Sequence, residues 1–133
     1  MLPYRIVLAN HHMPLRACLK RILGERSDLE VVGEAEDGSQ LLYLLSLGEL
    51  APQMVILDPS MPNCEGIDTI RKVRMILPDI KVLILSMYKD KEYLSQAISY
   101  GAEGYLITET VDKELLPAIE MIMQGRLYVP PFP

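Results

Sequence analysis

Residues 54–66, MVILDPSMPNCEG, decide how this chain is read. Residues 54–57 are an unbroken apolar run closed by a turn signal, the pattern of a strand buried on both faces of a parallel sheet. Asp58 follows at its carboxyl end. Pro59, Pro62, Asn63 and Gly66 then rule out continuation of the strand. Open α/β sheets keep their working groups outside the carboxyl ends of strands, so Asp58 is a candidate for chemistry. An Asp before Pro and Ser also suits a plain turn, its carboxylate capping nearby backbone N–H groups.

Four similar units surround this stretch. Upstream, residues 4–9 (YRIVLA) read as a strand ending at Asn10-His11-His12. A helix follows, with Pro14 suited to its first turn. Leu15, Cys18, Leu19, Ile22 and Leu23 recur at helical spacing, leaving Arg16, Lys20, Arg21 and Glu25 for the wet face. Residues 29–35 (LEVVGEA) form a second strand. Asp37-Gly38-Ser39 makes a turn and an N-cap for a Leu-rich helix over residues 40–47, ended by Gly48 and Pro52. Downstream, a helix over residues 67–77 turns Ile67, Ile70 and Val73 inward. Residues 80–85 (IKVLIL) are a fourth strand, ending at Ser86. The next helix carries Leu94, Ala97 and Ile98 on one face, with Gly101 as a left-handed cap. Residues 104–107 (GYLI) make a fifth strand, ending at Thr108. Thr110 or Asp112 caps a last helix that points Leu115, Leu116, Ile119, Ile122 and Met123 inward. Pro117 removes the bond to the Lys113 carbonyl, which predicts a kink or a late helix start.

Strict βα alternation with short strands means an α/β fold: a five-stranded parallel sheet, doubly wound, with helices on both faces. The flavodoxin-like strand order 2-1-3-4-5 fits five such units. It puts Asn10, His11 and Asp58 together at a switch point, with Ser86 and Thr108 on the other side.

Composition narrows the function. Half the residues are hydrophobic, so a packed domain is expected rather than disorder. A net charge of −5 argues against nucleic-acid binding by this domain alone. No apolar run is long enough to span a bilayer. Cys18 and Cys64 form no CxxC pair and point to free thiols in a reducing, cytoplasmic setting. A flavin carrier of this architecture would want a Ser/Thr- or Gly-rich phosphate cradle after the first strand, and Asn10-His11-His12-Met13-Pro14 is not one.

RIVLANHH, LEVVGEAEDG, MVILDPSMPNCEGI, KVLILSMY, GAEGYLI and ELLPAIEMIMQG occur in an order and spacing that resembles response-regulator receiver domains along nearly the whole chain. The nearest pattern is the NarL/LuxR type of transcriptional regulator. The resemblance implies that residues 1–126 are a receiver domain. Residues 127–133 would then be a tail, or the start of a linker to a helix-turn-helix output domain absent from this chain. It also implies that Asp58 is the phosphoacceptor. Ser86 stands where the family contacts the phosphoryl group, and Tyr105 where an aromatic swings inward on activation. Mg²⁺ would lean on Asp58 and the backbone carbonyl of Ser60.

The departures are equally specific. Asn10 and His11 replace the acidic pair that normally helps hold Mg²⁺, and Thr108 replaces the Lys that normally pairs with the phosphoryl oxygens. Mg²⁺ wants oxygen ligands, so it is expected weakly bound or not at all; Glu65 in the following loop is one substitute. His11, His12, Cys64 and Asp58 raise a second metal reading, a Zn²⁺ or Cu site, against the simpler one in which His11 fills the vacated pocket and hydrogen-bonds Asp58. The expectation is therefore an atypical receiver of a two-component system, not an enzyme, phosphorylated slowly or not at all. It would regulate its output domain by dimerisation or interaction. The alternative is a phosphoacceptor receiver that uses Asp58 with a non-standard metal site. Expected partners are a histidine kinase and a second copy, through the fourth helix, fifth strand and fifth helix or through the first and fifth helices. DNA would be reached only through the absent domain, and no membrane is expected. Tyr88, Tyr93, Tyr100 and Tyr105 read either as a partner face or as ordinary half-buried aromatics.

Overall fold

The computed structural model describes residues 2–130. Five strands alternate with five helices: β1 (Tyr4–Ala9), α1 (Met13–Leu23), β2 (Leu29–Ala35), α2 (Gly38–Ser46), β3 (Met54–Leu57), α3 (Ile67–Ile76), β4 (Lys81–Ser86), α4 (Lys91–Ser99), β5 (Gly104–Ile107) and α5 (Val111–Met123), with a 3₁₀ turn at Thr108–Thr110 before α5. The strands form one parallel sheet in the order β2-β1-β3-β4-β5, as the alternation predicts.

Strand alternation sorts the core into two layers. Val7, Ala9, Val55, Leu57, Val82, Ile84 and Tyr105 face Leu41 and Leu45 of α2, Ile70 and Val73 of α3, and Ala97 of α4. Ile6, Leu8, Met54, Ile56, Leu83, Leu85 and Leu106 face Leu19, Ile22 and Leu23 of α1 and Leu115, Ala118, Ile119 and Ile122 of α5. All four residues of β3 are buried, which explains its unbroken apolar sequence. At roughly 1.5–3 kcal/mol per large side chain, this strand is firmly anchored, and Asp58 hangs from its end.

Several local expectations change. Arg16 does not take the wet face of α1; it is only 6% exposed. Its guanidinium reaches Glu34 Oε1 at 3.0 Å and Glu36 Oε1 at 3.4 Å, and donates to the Asn10 carbonyl. The three acceptors make its burial tolerable. Lys20, with Arg16 behind it, holds the Glu34 carboxyl below the usual carboxylate range against the opposing effect of burial. Met123 is exposed rather than inward, and Ala118 takes core space instead. α5 runs unbroken through Pro117. Lys113 and Pro117 are both exposed, so water can solvate the freed carbonyl. Thr110 occupies the N-cap position of α5, but its hydroxyl donates to Glu114 rather than capping the backbone.

One glycine fixes the frame of the site, and another turns the chain at the opposite end of the sheet. Gly38 opens α2 directly after Asp37, whose side chain caps Gln40 N–H at 2.8 Å. Gly38 N–H donates to the Pro62 carbonyl, and a Cβ there would lie 2.0 Å from the Asn63 carbonyl oxygen. Only glycine lets α2 approach the loop after Asp58 so closely. Gly101, at φ +103°, turns the chain out of α4 as expected.

Past α5 the chain folds back onto the sheet edge. Tyr128 bridges Gly104; its N–H donates to the Glu103 carbonyl at 2.9 Å and its carbonyl accepts from Tyr105 N–H at 3.0 Å. Its hydroxyl donates to Glu114 at 2.6 Å, and burial, then that carboxylate, pushes the phenol up to about 12. Of the expected tail, residues 131–133 lie outside the described residues. Among the described residues, no helix is long and apolar enough to cross a membrane.

Candidate functional site

The order of the sheet places β3 between β1 and β4, so their ends converge on Asp58. Its backbone N–H donates to the Ala9 carbonyl at 2.9 Å, which fixes it against the end of β1. Asp58 is 7% exposed. Oδ1 accepts from Ser60 N–H at 2.9 Å and from the Ser60 hydroxyl at 2.7 Å. Oδ2 faces His11 Nδ1 at 3.6 Å, too far for a hydrogen bond. His11 therefore does stand over Asp58, but it does not bond it, and its side chain is 46% exposed.

Asn10 is buried, and its side-chain oxygen and backbone groups are engaged elsewhere. Its side-chain oxygen accepts from His12 N–H at 2.7 Å, an Asx-type turn that leads into α1. Its backbone N–H donates to the Ala35 carbonyl, and its carbonyl accepts from Arg16. On the far side, Ser86 Oγ accepts from Tyr88 N–H at 3.1 Å. Tyr105 is wholly buried and its hydroxyl donates to the Tyr88 carbonyl at 3.0 Å. Burial raises the Tyr105 phenol above its usual pKa, and a hydrogen bond with Ser86 opposes that rise. The ring packs on Tyr93, centroids 6.2 Å apart. Tyr88 and Tyr100 point outward, so the four tyrosines divide between core and surface.

Beside Asp58 lies a cleft of about 390 Å³, lined by His11, His12, Pro14, Leu15, Asp58, Met87 and Thr108. No Lys or Arg is in that lining. The donor set does not fit Mg²⁺. Asp58 supplies the one carboxylate of the lining, Asn10 offers a neutral amide oxygen that already accepts one hydrogen bond, and His11 offers nitrogen to an ion that wants oxygen. Glu65 does not rebuild the site, since it is exposed and pairs with Lys72 at 3.5 Å. Nor do the residues of the Zn²⁺ or Cu reading assemble. Cys64 Sγ lies 3.3 Å from Thr69 Oγ1, and among the described residues no three His, Cys, Asp or Glu side chains are grouped to hold a metal.

The family model described as the response regulator receiver domain matches residues 6–120. The chain belongs to the response regulator receiver domain family. Among curated relatives, this receiver is 37% identical over 126 residues to the oxygen regulatory protein NreC of Staphylococcus epidermidis, covering 94% of this chain and 57% of that one. It is 33% identical over 127 residues to the transcriptional regulatory protein DegU of Brevibacillus brevis, covering 96% and 53%. The chain thus spans about half the length of the curated relatives it matches. A two-component response regulator of the LuxR family from Aurantimonas sp. superposes with a TM-score of 0.86 at 29% identity, over 95% of this chain and 89% of that one. The non-phosphorylated receiver domain of RcsB from Escherichia coli gives 0.89 at 23% identity, over 97% and 99%, and shows the shared fold.

Sequence reasoning missed Arg16, Met87 and the apolar wall of Pro14 and Leu15. Arg16 had a readable signal. Glu34 and Glu36 lie two apart near the end of β2 and so project to one side, a receptive pair for a cation on the neighbouring helix. Met87 gave none, because a Met after a strand reads the same in any loop.

Proposed function

We propose that this receiver works with little or no phosphorylation of Asp58. It governs an attached helix-turn-helix output domain by dimerisation or interaction. One observation carries the reading: the cleft at Asp58 contains no Lys or Arg, and Thr108 stands in it where the family places its Lys. Phosphoryl transfer to a carboxylate gathers several negative charges, and its catalysis is mostly positioning and charge neutralisation. Thr108 can donate one hydrogen bond but brings no charge. Mg²⁺, held through Asp58 and the Ser60 carbonyl, binds weakly or not at all. A histidine kinase is the upstream partner that the family offers, and on this reading it transfers little phosphate. A second copy meets the chain through α4, β5 and α5 or through α1 and α5. DNA is touched only by the output domain, and the protein works in the cytoplasm.

The test is intact mass after incubation with Mg²⁺ and acetyl phosphate, with Asp58→Ala as control. The expected result is no gain in a protein whose circular dichroism shows it folded. A gain of one phosphoryl group, absent in the control, would favour a phosphoacceptor with a rebuilt metal site.

A further inference from the structure

We propose that the cleft beside Asp58 binds a small organic ammonium ion, a protonated amine carried on a compact apolar body. The inference rests on the reading above, that Asp58 is not chiefly a phosphoacceptor.

Charge carries the first half. Ser60 satisfies Oδ1 of Asp58 through two hydrogen bonds. Oδ2 has no such partner, since His11 Nδ1 stops at 3.6 Å. A carboxylate with one open oxygen, set in a largely apolar wall without Lys or Arg, attracts a cation more strongly than it would in water. An anion would meet Asp58 with no fixed positive charge to offset it. A divalent metal lacks a ligand set. An ammonium group needs neither, because its three N–H donors can serve Asp58 Oδ2 and the Thr108 hydroxyl together.

Shape carries the second half. About 390 Å³ falls within the range of roughly 300–1,000 Å³ typical of small-molecule sites, which are mostly apolar with a few placed polar groups. Here Pro14, Leu15 and Met87 supply apolar wall, and Asp58, Thr108 and the imidazoles of His11 and His12 the polar groups. Met87 also supplies a readout. It is 67% exposed and sits between Ser86 and Tyr88, whose carbonyl holds the Tyr105 hydroxyl. An apolar body covering Met87 would stabilise that loop in its present, Tyr105-bound form.

The experiment is a titration of the ¹⁵N-labelled chain, followed by amide chemical shifts. The probes are benzylamine and phenethylamine, with benzyl alcohol and phenylacetate as neutral and anionic counterparts. The amines should saturate, moving the amides of His11, Asp58, Met87 and Thr108, and should bind about tenfold or more tighter than the alcohol. Asp58→Asn should abolish the preference for the amine. Thr108→Lys, which tethers an ammonium inside the cleft, should block the amines while leaving the spectrum dispersed. Equal binding of all probes, or no saturation by either amine, overturns the proposal. Acetyl phosphate treatment of the same sample separates the two failures. A phosphoryl gain removes the reading on which the site rests, whereas no gain together with no saturation removes only the ammonium site.

Discussion

On the β4–β5 side of Asp58, polar groups are knitted together. Ser86 accepts from Tyr88, Tyr105 donates to the Tyr88 carbonyl, and the Tyr105 ring is sealed in the core. At the positions that carry charge elsewhere in the family, after β1 and at the end of β5, Asn10 spends its side chain on the start of α1, His11 stands out of hydrogen-bond reach, and Thr108 brings no charge. The knitted side depends on burial and geometry, which the fold enforces by itself. Those positions depend on residue identity, which the fold does not need. Clustered carboxylates repel one another, so replacing them with Asn and His costs the folded state little. On the function proposed above, it costs chemistry instead, and the buried side of the site stays intact.

Restoring the charges is the harshest way to break this contrast. Asn10→Asp, His11→Asp and Thr108→Lys together should raise the rate of phosphorylation by acetyl phosphate by roughly two orders of magnitude or more, read as a mass time course. A triple variant that stays unmodified while folded would place the defect on the knitted side. Arg16→Met comes next. It leaves the Asn10 carbonyl and Glu34 without their buried partner, and should cost about 2 kcal/mol, seen as a lower urea midpoint at constant slope. An unchanged midpoint would mean that the β1 side carries no structural load. Tyr105→Phe is the mildest, at about 1 kcal/mol near neutral pH. Its pH dependence sharpens the contrast. Burial raises the Tyr105 phenol, so its contribution is present below the unfolded value near 10 and is lost as pH rises through the folded one. The Phe variant should therefore show a flatter alkaline limb in urea midpoints measured from pH 9 upward, and a limb as steep as in the parent would detach that loss from Tyr105.

The fold was legible because it is written in periodicities. Four apolar residues before Asp58 and helical spacing in α1 and α5 left little freedom, and the strand order followed from five βα units. Asp58, Ser86 and Thr108 were placed because strand ends in a parallel sheet converge. What stayed hidden were choices made between neighbours. Arg16 had only the Glu34 and Glu36 pair to hint at its partners, and Met123 fits the helical pattern but stands 37% exposed at the end of α5. His11 Nδ1 stops 3.6 Å from Asp58 Oδ2, and no spacing rule reports a gap of a few tenths of an ångström.

Tyr105 is held at both ends: its backbone N–H by the Tyr128 carbonyl, its hydroxyl by the Tyr88 carbonyl. In mechanical terms it is a fulcrum. Tension on the chain at residue 128 is shared among the Glu103 carbonyl, Glu114 and the backbone of Tyr105, and the rigid ring is the arm that carries the last of these to the loop after β4. The linkage is short, since one peptide and one phenol ring separate the trailing chain from the rim of the cleft. Load at residue 128 and an occupant of the proposed site would therefore act on the same part.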